Sequence, residues 1–423
     1  MKRTILLLLL IMSSMWLVAQ TLDECRQLTL EHYPEIRQYD LISQTEHYNV
    51  SNAARAWIPQ VSLSAQFTWQ TDIMQFPDNF AAIFPGGTVP SMKKDQYKIQ
   101  LDVQQNIWDG GQSKANSDIA KADAAEQRSR VDVDIYNLML RVDNLYFGIL
   151  LLDERKELTE TMISMLDNNL QRMRVYRKND VVIQADVDAI EAELLTARQT
   201  LRQVCSSRDS YRRMLEIFIG QPLEDSILVR PTMFEIVNQT SARPELALFA
   251  AQSGKLQAQR KAINSSLTPR FVAFAQGFYG YPGLNMFESM MGNDWKFGAI
   301  LGVRMVWNIG GFYTMQNNVD KLKTAQLQVD MQRDIFEFNT SMQSTQDNGE
   351  IARLRKAVED DDRIVELRRS VRMAAESKLE NGTIDATDLL LKISDETTAA
   401  LNRSSHEIEL LQAVYRLKQT LNQ

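Results

Sequence analysis

The sequence contains two related halves that lie about 200 residues apart. Residues 107–111 read IWDGG and residues 307–311 read WNIGG, while residues 179–186 resemble residues 381–388. Two further pairs keep the same order: 33–36 with 243–246, and 57–61 with 267–271. Four matches in one order indicate a duplication, and the period is far too long for a solenoid repeat. We therefore expect two copies of one large unit, at residues 20–220 and 243–423, joined by an equatorial linker at 221–242.

The first 19 residues predict a signal peptide. Lys2 and Arg3 precede an apolar run that ends near Ala19, and this run is too short to be a convincing transmembrane helix. Without Lys2 and Arg3, 45 of the 47 Lys and Arg residues remain against 54 Asp and Glu. An exported acidic protein is not expected to bind nucleic acid. No later stretch has 18 consecutive apolar residues, so we expect no membrane-spanning helix.

The only two cysteines are Cys25 and Cys205. An exported protein reaches an oxidising compartment, where disulfides form and persist. Cys25 and Cys205 can pair if the start of the first helix meets the last helix of the first repeat. The alternative is two free thiols.

Each repeat contains one predicted β-hairpin, at 57–108 and at 268–308. From Gln60 to Thr71 apolar residues alternate with uncharged polar residues, and the three other strands show the same period of two. A soluble antiparallel sheet would alternate in the same way. Aromatic residues near the strand ends favour a transmembrane barrel instead, since Trp and Tyr form girdles at both membrane interfaces. These residues are Trp57, Trp69, Tyr97, Trp108, Trp295 and Trp307.

Four strands cannot close a barrel, and an open sheet edge is not tolerated in lipid. Three copies of the chain would supply 12 strands, which is wide enough to enclose water. The segments 72–94 and 281–293 are rich in proline and glycine and are expected to be external loops. The sequence thus predicts an α+β membrane protein whose pore forms by trimerisation.

The rest of each repeat predicts helices: 22–56 before the first hairpin, then long coiled-coil helices at 112–219 and 312–421. Leu138, Val142, Leu145, Ile149 and Leu152 follow a 4-3-4-3 spacing, and Ile364, Leu367, Val371 and Ala374 follow a 3-4-3 spacing. Turns are expected near 179–180 and 381–382. Glycine pairs mark the strand–helix junctions, where flexible backbone angles are expected: Gly110, Gly111, Gly310 and Gly311.

This combination resembles the TolC-like outer membrane efflux protein family over essentially the whole mature chain. The resemblance rests on the duplicated plan, the glycine pairs, the turn NGTIDATDLL at 381–390 and the GQP at 220–222. It implies a trimeric 12-stranded barrel in the outer membrane of a Gram-negative bacterium, continued by a helical tunnel through the periplasm. It also implies a periplasmic adaptor and an inner-membrane pump as partners, in efflux or in type I secretion. No cofactor is implied.

The resemblance also assigns a gate and an adaptor-docking surface to the helix tips. Gly382, Thr383 and Asp388 match tip positions of the family, and Asp385 lies between them. In the first repeat Asp180 stands in place of the tip glycine, and Asp186 corresponds to Asp388. A ring of such carboxylates would favour cations. Alternatively, Asp388 and Asp186 are N-caps of the returning helices, and the two roles are compatible.

Two functions remain open at this point. One is a passive outer-membrane conduit for small toxic molecules, energised by its partners. The other is a periplasmic coiled-coil protein, structural or adhesive, that never inserts into a membrane. No acid–base pair or nucleophile lies in a setting that predicts an enzyme. The acidic run 359–362 lacks the glycine and the ligand spacing of a calcium loop and is expected to be a solvated helix face.

Overall fold

The structure is a computed structural model that describes residues 20–77, 83–84, 89–223, 228–234, 241–381 and 383–422. The expected signal peptide, Gly382 and parts of the 72–94 loop and of the linker lie outside the described residues. The chain divides into two compact units. Unit 1 comprises the described residues of 1–39, 129–248 and 332–423, and unit 2 comprises residues 40–128 and 249–331.

Unit 2 contains one antiparallel sheet with the strand order β1-β2-β3-β4. Its strands are β1 (Gln60–Trp69), β2 (Asp95–Trp108), β3 (Arg270–Tyr281) and β4 (Lys296–Val306). Both predicted hairpins are therefore present, and β2 pairs with β3 to join them. In the described part of the chain β1 and β4 each pair on one side, which leaves two open edges.

The helices follow the expected plan except for a break after His32 and a short helix, Met286–Met291, inside the segment 281–293 that was expected to be a loop. They are α1 (Leu22–His32), α2 (Gln38–Ala54), α3 (Gln112–Lys178), α4 (Gln184–Ile219), α5 (Pro244–Ser266), α6 (Met286–Met291), α7 (Phe312–Glu380) and α8 (Ala386–Leu421). At 1.5 Å per residue α3 is about 100 Å long. Proline in a helix interior kinks or breaks the helix, and no proline interrupts α3 or α7.

The prediction of one helix over 22–56 is wrong. The α-helix ends at His32, and a 3-10 segment, Pro34–Arg37, separates α1 from α2. Tyr33 adopts an extended conformation with ψ of 125°. The pyrrolidine ring of Pro34 disfavours the helical region for the residue before it and removes a backbone donor, so the chain bends here.

The core of unit 1 joins the start of the chain to both long helical pairs. Leu22 and Cys25 pack with Tyr146, Leu215 and Ile408, all of which are buried. Burying several such side chains stabilises the unit by about 2 kcal/mol each. The same cluster contains Val142 and Ile149 of the predicted 4-3-4-3 seam, and Leu411 and Tyr415 of α8.

Cys25 and Cys205 are both free, so the possible disulfide between them is not formed, and the alternative of two free thiols holds. Cys25 is fully buried in the same apolar cluster as Leu215, and burial raises the pKa of its thiol to about 12. Cys205 precedes Leu215 by ten residues on α4, which corresponds to about 15 Å along a helix axis. A disulfide needs Cα atoms within about 7 Å, and this offset along α4 agrees with the two thiols being unbonded.

The predicted seam of α7 is not packed within the chain. Ile364, Leu367 and Val371 are each more than 40% exposed, whereas Leu354 and Leu379 of the same helix are buried. Ile335, Phe338 and Met342 repeat the 3-4 spacing and are more than 50% exposed. One chain therefore leaves an apolar stripe of α7 uncovered.

By length and composition, α3 is long and apolar enough to cross a membrane. From the sequence we expected no helix of this kind. The reason is its content of core residues: Tyr146, Phe147 and Ile149 are buried in unit 1. Arg141 and Asp143 interrupt the same apolar region, and Asp143 is paired with Arg26 at 2.5 Å. A core helix of a folded domain has this composition as well.

The sheet of unit 2 has one apolar and one polar face. The odd-numbered residues of β1, β3 and β4, and of β2 up to Val103, form the apolar face, and the even-numbered residues form the polar face. A register shift between Asn106 and Trp108 returns Trp108 to the apolar face. Large apolar side chains on the apolar face are exposed: Val61, Leu63, Phe67, Trp69, Ile99, Leu101, Phe297, Leu301, Val303 and Met305.

Candidate gate at the helix turns

The two turns of unit 1 that join the long helices have the same backbone hydrogen bonds. The N–H of Val181 donates to the Tyr176 carbonyl (2.9 Å), and the N–H of Thr383 donates to the Lys378 carbonyl (3.0 Å). Both bonds span five residues, as in the Schellman motif that ends helices. Asp180 has a φ of 55°, in the left-handed region where this motif usually has glycine. Gly382, at the corresponding position of the second turn, lies outside the described residues.

Asp180 and Thr383 have local partners. Arg177 donates to the Asp180 carboxylate at 2.8 Å, and both side chains are exposed. The Thr383 hydroxyl donates to the Lys378 carbonyl at 2.9 Å. An exposed ion pair contributes little to stability. These contacts therefore shape the turns locally.

The N-cap of α8 is Asp385 and not Asp388, so the alternative that Asp388 is the cap is wrong. The Asp385 carboxylate accepts the backbone N–H of Asp388 at 2.8 Å. In the first turn Asp186 likewise lies inside α4, and its carboxylate accepts the backbone N–H of Ile183 at 3.2 Å. In both turns the N-cap is the residue three positions before the acid. Ile183 and Asp385 take the extended cap conformation, so Asp186 and Asp388 lie in the first turn of their helices. Asp388 is exposed, and its carboxylate remains open to solvent.

Replacing Asp385 by alanine should fray the start of α8. Loss of an N-cap costs about 1 kcal/mol, which corresponds to about fivefold faster amide exchange in the first turn. Hydrogen exchange of residues 386–392 in the detergent-solubilised protein measures this effect. Asp385→Asn is the matched control, because asparagine caps as well as aspartate. Equal exchange in wild type and Asp385→Ala would show that the cap is not formed.

Behind the turns, four helices meet in a buried apolar group, which we call the tip cluster. It contains Leu166, Leu170, Met173, Val187, Ile190, Leu194, Ala197, Ala375, Leu379, Ala386, Leu389 and Ile393. Ion pairs surround it. Arg172 of α3 reaches Glu380 of α7 at 3.3 Å, and Arg174 of α3 reaches Glu191 of α4 at 3.0 Å. The tips are thus closed within one chain by an apolar centre and a polar rim.

The Arg172–Glu380 pair was not visible in the sequence, because 208 residues separate its members. The same holds for His406 and Asp361, whose Nδ1 and Oδ2 atoms lie 2.6 Å apart. Asp361 is buried, so the prediction that 359–362 is wholly a solvated face is wrong for this residue. A charged residue inside an exposed-looking run can still face the neighbouring helix, since only every third or fourth residue of a helix does so.

The strand–helix junctions of unit 2 differ between the repeats. Gly110 and Gly111 have φ of 69° and 84°, in the left-handed region. Gly310 and Gly311 belong to a short 3-10 segment, Ile309–Gly311, so the expected need for unusual backbone angles is wrong there. Asn308 explains the difference, because its side chain accepts the Gly311 N–H at 3.2 Å and stabilises a helical turn.

Asp109 holds the first of these junctions. Its carboxylate accepts the backbone N–H groups of Gly111 (2.9 Å) and Ser113 (2.7 Å) at the start of α3. Burial opposes ionisation, but the bonds from Ser113 and Gly111 prevail and lower the pKa of Asp109 below its usual value. The junction therefore keeps its anion at the positive end of the helix dipole.

Comparisons with known proteins identify the fold. The model of the family "Outer membrane efflux protein" matches residues 25–221. The solved outer-membrane channel OprN superposes with a TM-score of 0.70 at 14% identity, covering 95% of this chain and 89% of its own. A search of curated protein sequences finds no significant match.

Two further solved outer-membrane channels have the same fold as this chain. The outer membrane protein VceC of Vibrio cholerae superposes with a TM-score of 0.66 at 13% identity, covering 95% of this chain and 94% of that one. The CmeC outer membrane channel of Campylobacter jejuni gives 0.67 at 11% identity, with coverages of 95% and 85%. Residues 25–221 thus match the outer membrane efflux protein family, and over nearly its whole length the chain shares the fold of solved outer-membrane channels, in agreement with the TolC-like resemblance of its sequence.

Proposed function

We propose that the protein is the outer-membrane channel of a tripartite efflux system in a Gram-negative bacterium. Three copies would form a 12-stranded barrel and continue it as a helical tunnel through the periplasm. The channel is passive, and an inner-membrane pump with a periplasmic adaptor supplies the energy. Small toxic molecules are its proposed cargo. Type I secretion uses the same architecture and is a second use of the same channel.

The observation that carries this proposal is the exposed apolar face of an open sheet. Leu301 is 79% exposed, Phe297 75% and Leu63 72%. An aqueous protein would bury such a face, whereas lipid covers it without cost. The two open edges at β1 and β4 need partners, and copies of the same chain provide them in a closed ring.

Aromatic residues support the orientation of the sheet in a membrane. Tyr97 and Trp295 stack with ring centroids 6.0 Å apart at the loop ends of their strands. Trp108 and Phe271 contact at 6.0 Å at the helix ends. Aromatic girdles at both borders of an apolar band are typical of outer-membrane barrels.

The exposed stripe of α7 supports trimerisation below the membrane. Ile364, Leu367 and Val371 have coiled-coil spacing and no cover within the chain, so a neighbouring copy is the natural partner. We also propose that the chain consists of two repeats joined by a linker. The matching backbone hydrogen bonds of the two turns, from Val181 to Tyr176 and from Thr383 to Lys378, support this plan.

The first experiment is purification from membranes followed by reconstitution into a planar bilayer. We expect heat-modifiable trimers that resist SDS and stepwise conductance. A protein found only in the soluble periplasmic fraction, with no trimer and no conductance, would contradict the proposal and favour the periplasmic coiled-coil alternative. A folded trimer without conductance would be retested with the tip variant below.

Replacing Asp388 by alanine should weaken the block of the channel by multivalent cations. Three Asp388 carboxylates at the tips would attract cations into a narrow entrance. Hexamminecobalt added on the helix side should then need about a tenfold higher concentration for half-block, which corresponds to about 1.4 kcal/mol.

Glu366→Ala is the control for this substitution, since Glu366 is an exposed acid of α7 that lies outside the turns and pairs with Arg363. Its half-blocking concentration should equal that of wild type. Unchanged block in Asp388→Ala would remove Asp388 from the constriction. It would leave the other proposed tip residues, Asp180, Asp186, Gly382 and Thr383, as candidates for adaptor docking only.

A further inference from the structure

The polar face of the sheet carries more cations than carboxylates. Strand pairing places Lys98 opposite Gly280 and Gly280 opposite Lys296, so both lysines lie in one row across β2, β3 and β4. Arg304 lies in a second row with Val272 and Asn106. Arg270 lies at the helix end of β3, opposite Val306. The polar face is therefore basic at both ends.

The carboxylate of this face does not neutralise these cations. Asp102 lies midway between the two rows, four residues from Lys98 along β2 and four from Asn106. It accepts amide N–H groups from Gln100 and from Gln276, each at 2.7 Å. The two rows are eight residues apart, or about 27 Å along the strand. The hydrogen bonds to the Asp102 carboxylate thus come from neutral amides and not from the cations of either row.

Aromatic rings hold two of the cations in place. The Lys98 Nζ atom lies 4.4 Å from the centroid of the Phe278 ring, and the Arg304 guanidinium lies 5.6 Å from that of Phe274. Arg304 also donates to the Gln104 side-chain oxygen at 2.9 Å. A cation over a neutral ring has no carboxylate beside it to offset its charge, unlike one in an ion pair, so its field extends into the solvent.

The supporting rings are fixed by the glycines beneath them. A Cβ atom at Gly298 would lie 2.5 Å from the Phe278 ring, and one at Gly302 would lie 2.7 Å from the Phe274 ring. The tips of the two phenylalanine rings therefore fill the space above these glycines of β4, and Lys98 and Arg304 lie over the rings. The cations are positioned by packing, which is a built arrangement and not a chance surface charge.

The balance of charge on this face is positive. Of the four cations on this face, Lys296 forms an ion pair within the described residues, with Glu288 at 2.8 Å. Four cations against Asp102, Glu288 and Asp294, the last of which also acts on Lys296, leave about one unbalanced positive charge per chain, and about three in a trimer. Charges of one sign on low-dielectric walls focus the field inside a pore.

We infer that the polar face is an anion-attracting wall of the barrel lumen, so that the barrel section favours anionic solutes. This inference rests on the proposed channel function, in which the apolar face meets lipid and the polar face lines the pore. The barrel and the helix tips would then differ in charge preference, because Asp388 at the tips would favour cations. Anionic solutes that reach the barrel would be drawn outward through two basic rings.

Sided block of single channels tests this inference. Inositol hexakisphosphate, a rigid polyanion, is added to the loop side of wild-type channels and of the double variant Lys98→Gln/Arg304→Gln. We expect block of wild type, and at least a tenfold higher half-blocking concentration in the double variant. Addition from the loop side reaches the barrel directly, so the acidic tips do not control the result.

The charge-conserving double variant Lys98→Arg/Arg304→Lys is the matched control. It keeps both cations over their rings and should retain the wild-type half-blocking concentration within about twofold. Equal loss of block in both variants would overturn the inference, because charge would not be the cause. Conducting trimers that the polyanion does not block would also overturn it while leaving the proposed function intact. Absence of trimers and of conductance would overturn both.

Discussion

Leu301→Arg should abolish assembly of the protein in the outer membrane. Leu301 lies at the centre of β4 on the apolar face and is 79% exposed, so in a barrel its side chain would meet the middle of the lipid layer. An arginine there costs about 3 kcal/mol per chain, and three chains together lose about 9 kcal/mol. SDS-resistant trimers in the outer-membrane fraction measure the effect, and we expect them to fall below detection.

The neighbouring residue provides the control. Ile300 lies on the polar face, opposite Gln276, so Ile300→Arg would place its guanidinium in the water-filled lumen at little cost. Trimers of this variant should form at the wild-type level. If both variants assembled equally well, the apolar face would not contact lipid, and the barrel proposal would fail with it.

The two faces of the sheet were predictable because strand side chains alternate with a period of two. The phase of β1 and β2 followed from runs such as Val61, Leu63 and Phe67, which alternate without exception. The basic arrangement on the polar face was not predictable. Phe274 and Phe278 share that face with Arg304 and Lys98, and only strand register shows that they contact.

The lengths of α3 and α7 were predictable from the absence of proline, because neither helix contains one. The break at Tyr33 had its signal in Pro34, which a helix interior does not tolerate. The tip ion pairs had no such signal. Arg172 and Glu380 meet through packing of segments 208 residues apart, and no local rule places them together.

The junction glycines show why similar motifs need not have similar geometry. Asp109 precedes Gly110 in the first repeat, whereas Asn308 stands two residues before Gly310 in the second. Asp109 accepts two N–H groups across a left-handed backbone, and Asn308 accepts one within a 3-10 turn. The shared glycine pair was visible in the sequence, but the capping residue determines the backbone angles.

Gly110→Ala should therefore destabilise the protein, while Gly310→Ala should not. Gly110 has a φ of 69°, and an added Cβ would lie 1.8 Å from the Thr268 hydroxyl oxygen. The left-handed backbone alone costs an alanine about 1–2 kcal/mol, and the clash raises the total to about 3 kcal/mol. At Gly310 the nearest atom to a new Cβ is 3.7 Å away, and φ is not in the left-handed region.

The heat-modification temperature of the purified trimer compares the two variants directly. Gly310→Ala should equal or slightly exceed wild type, because alanine has less backbone entropy to lose on folding than glycine. Gly110→Ala should dissociate at a clearly lower temperature. Thr268→Ala in the Gly110→Ala background would remove the hydroxyl that clashes and should restore part of the loss. If both glycine variants lost stability equally, the junctions would share one backbone geometry, and the distinct roles of Asp109 and Asn308 would be wrong.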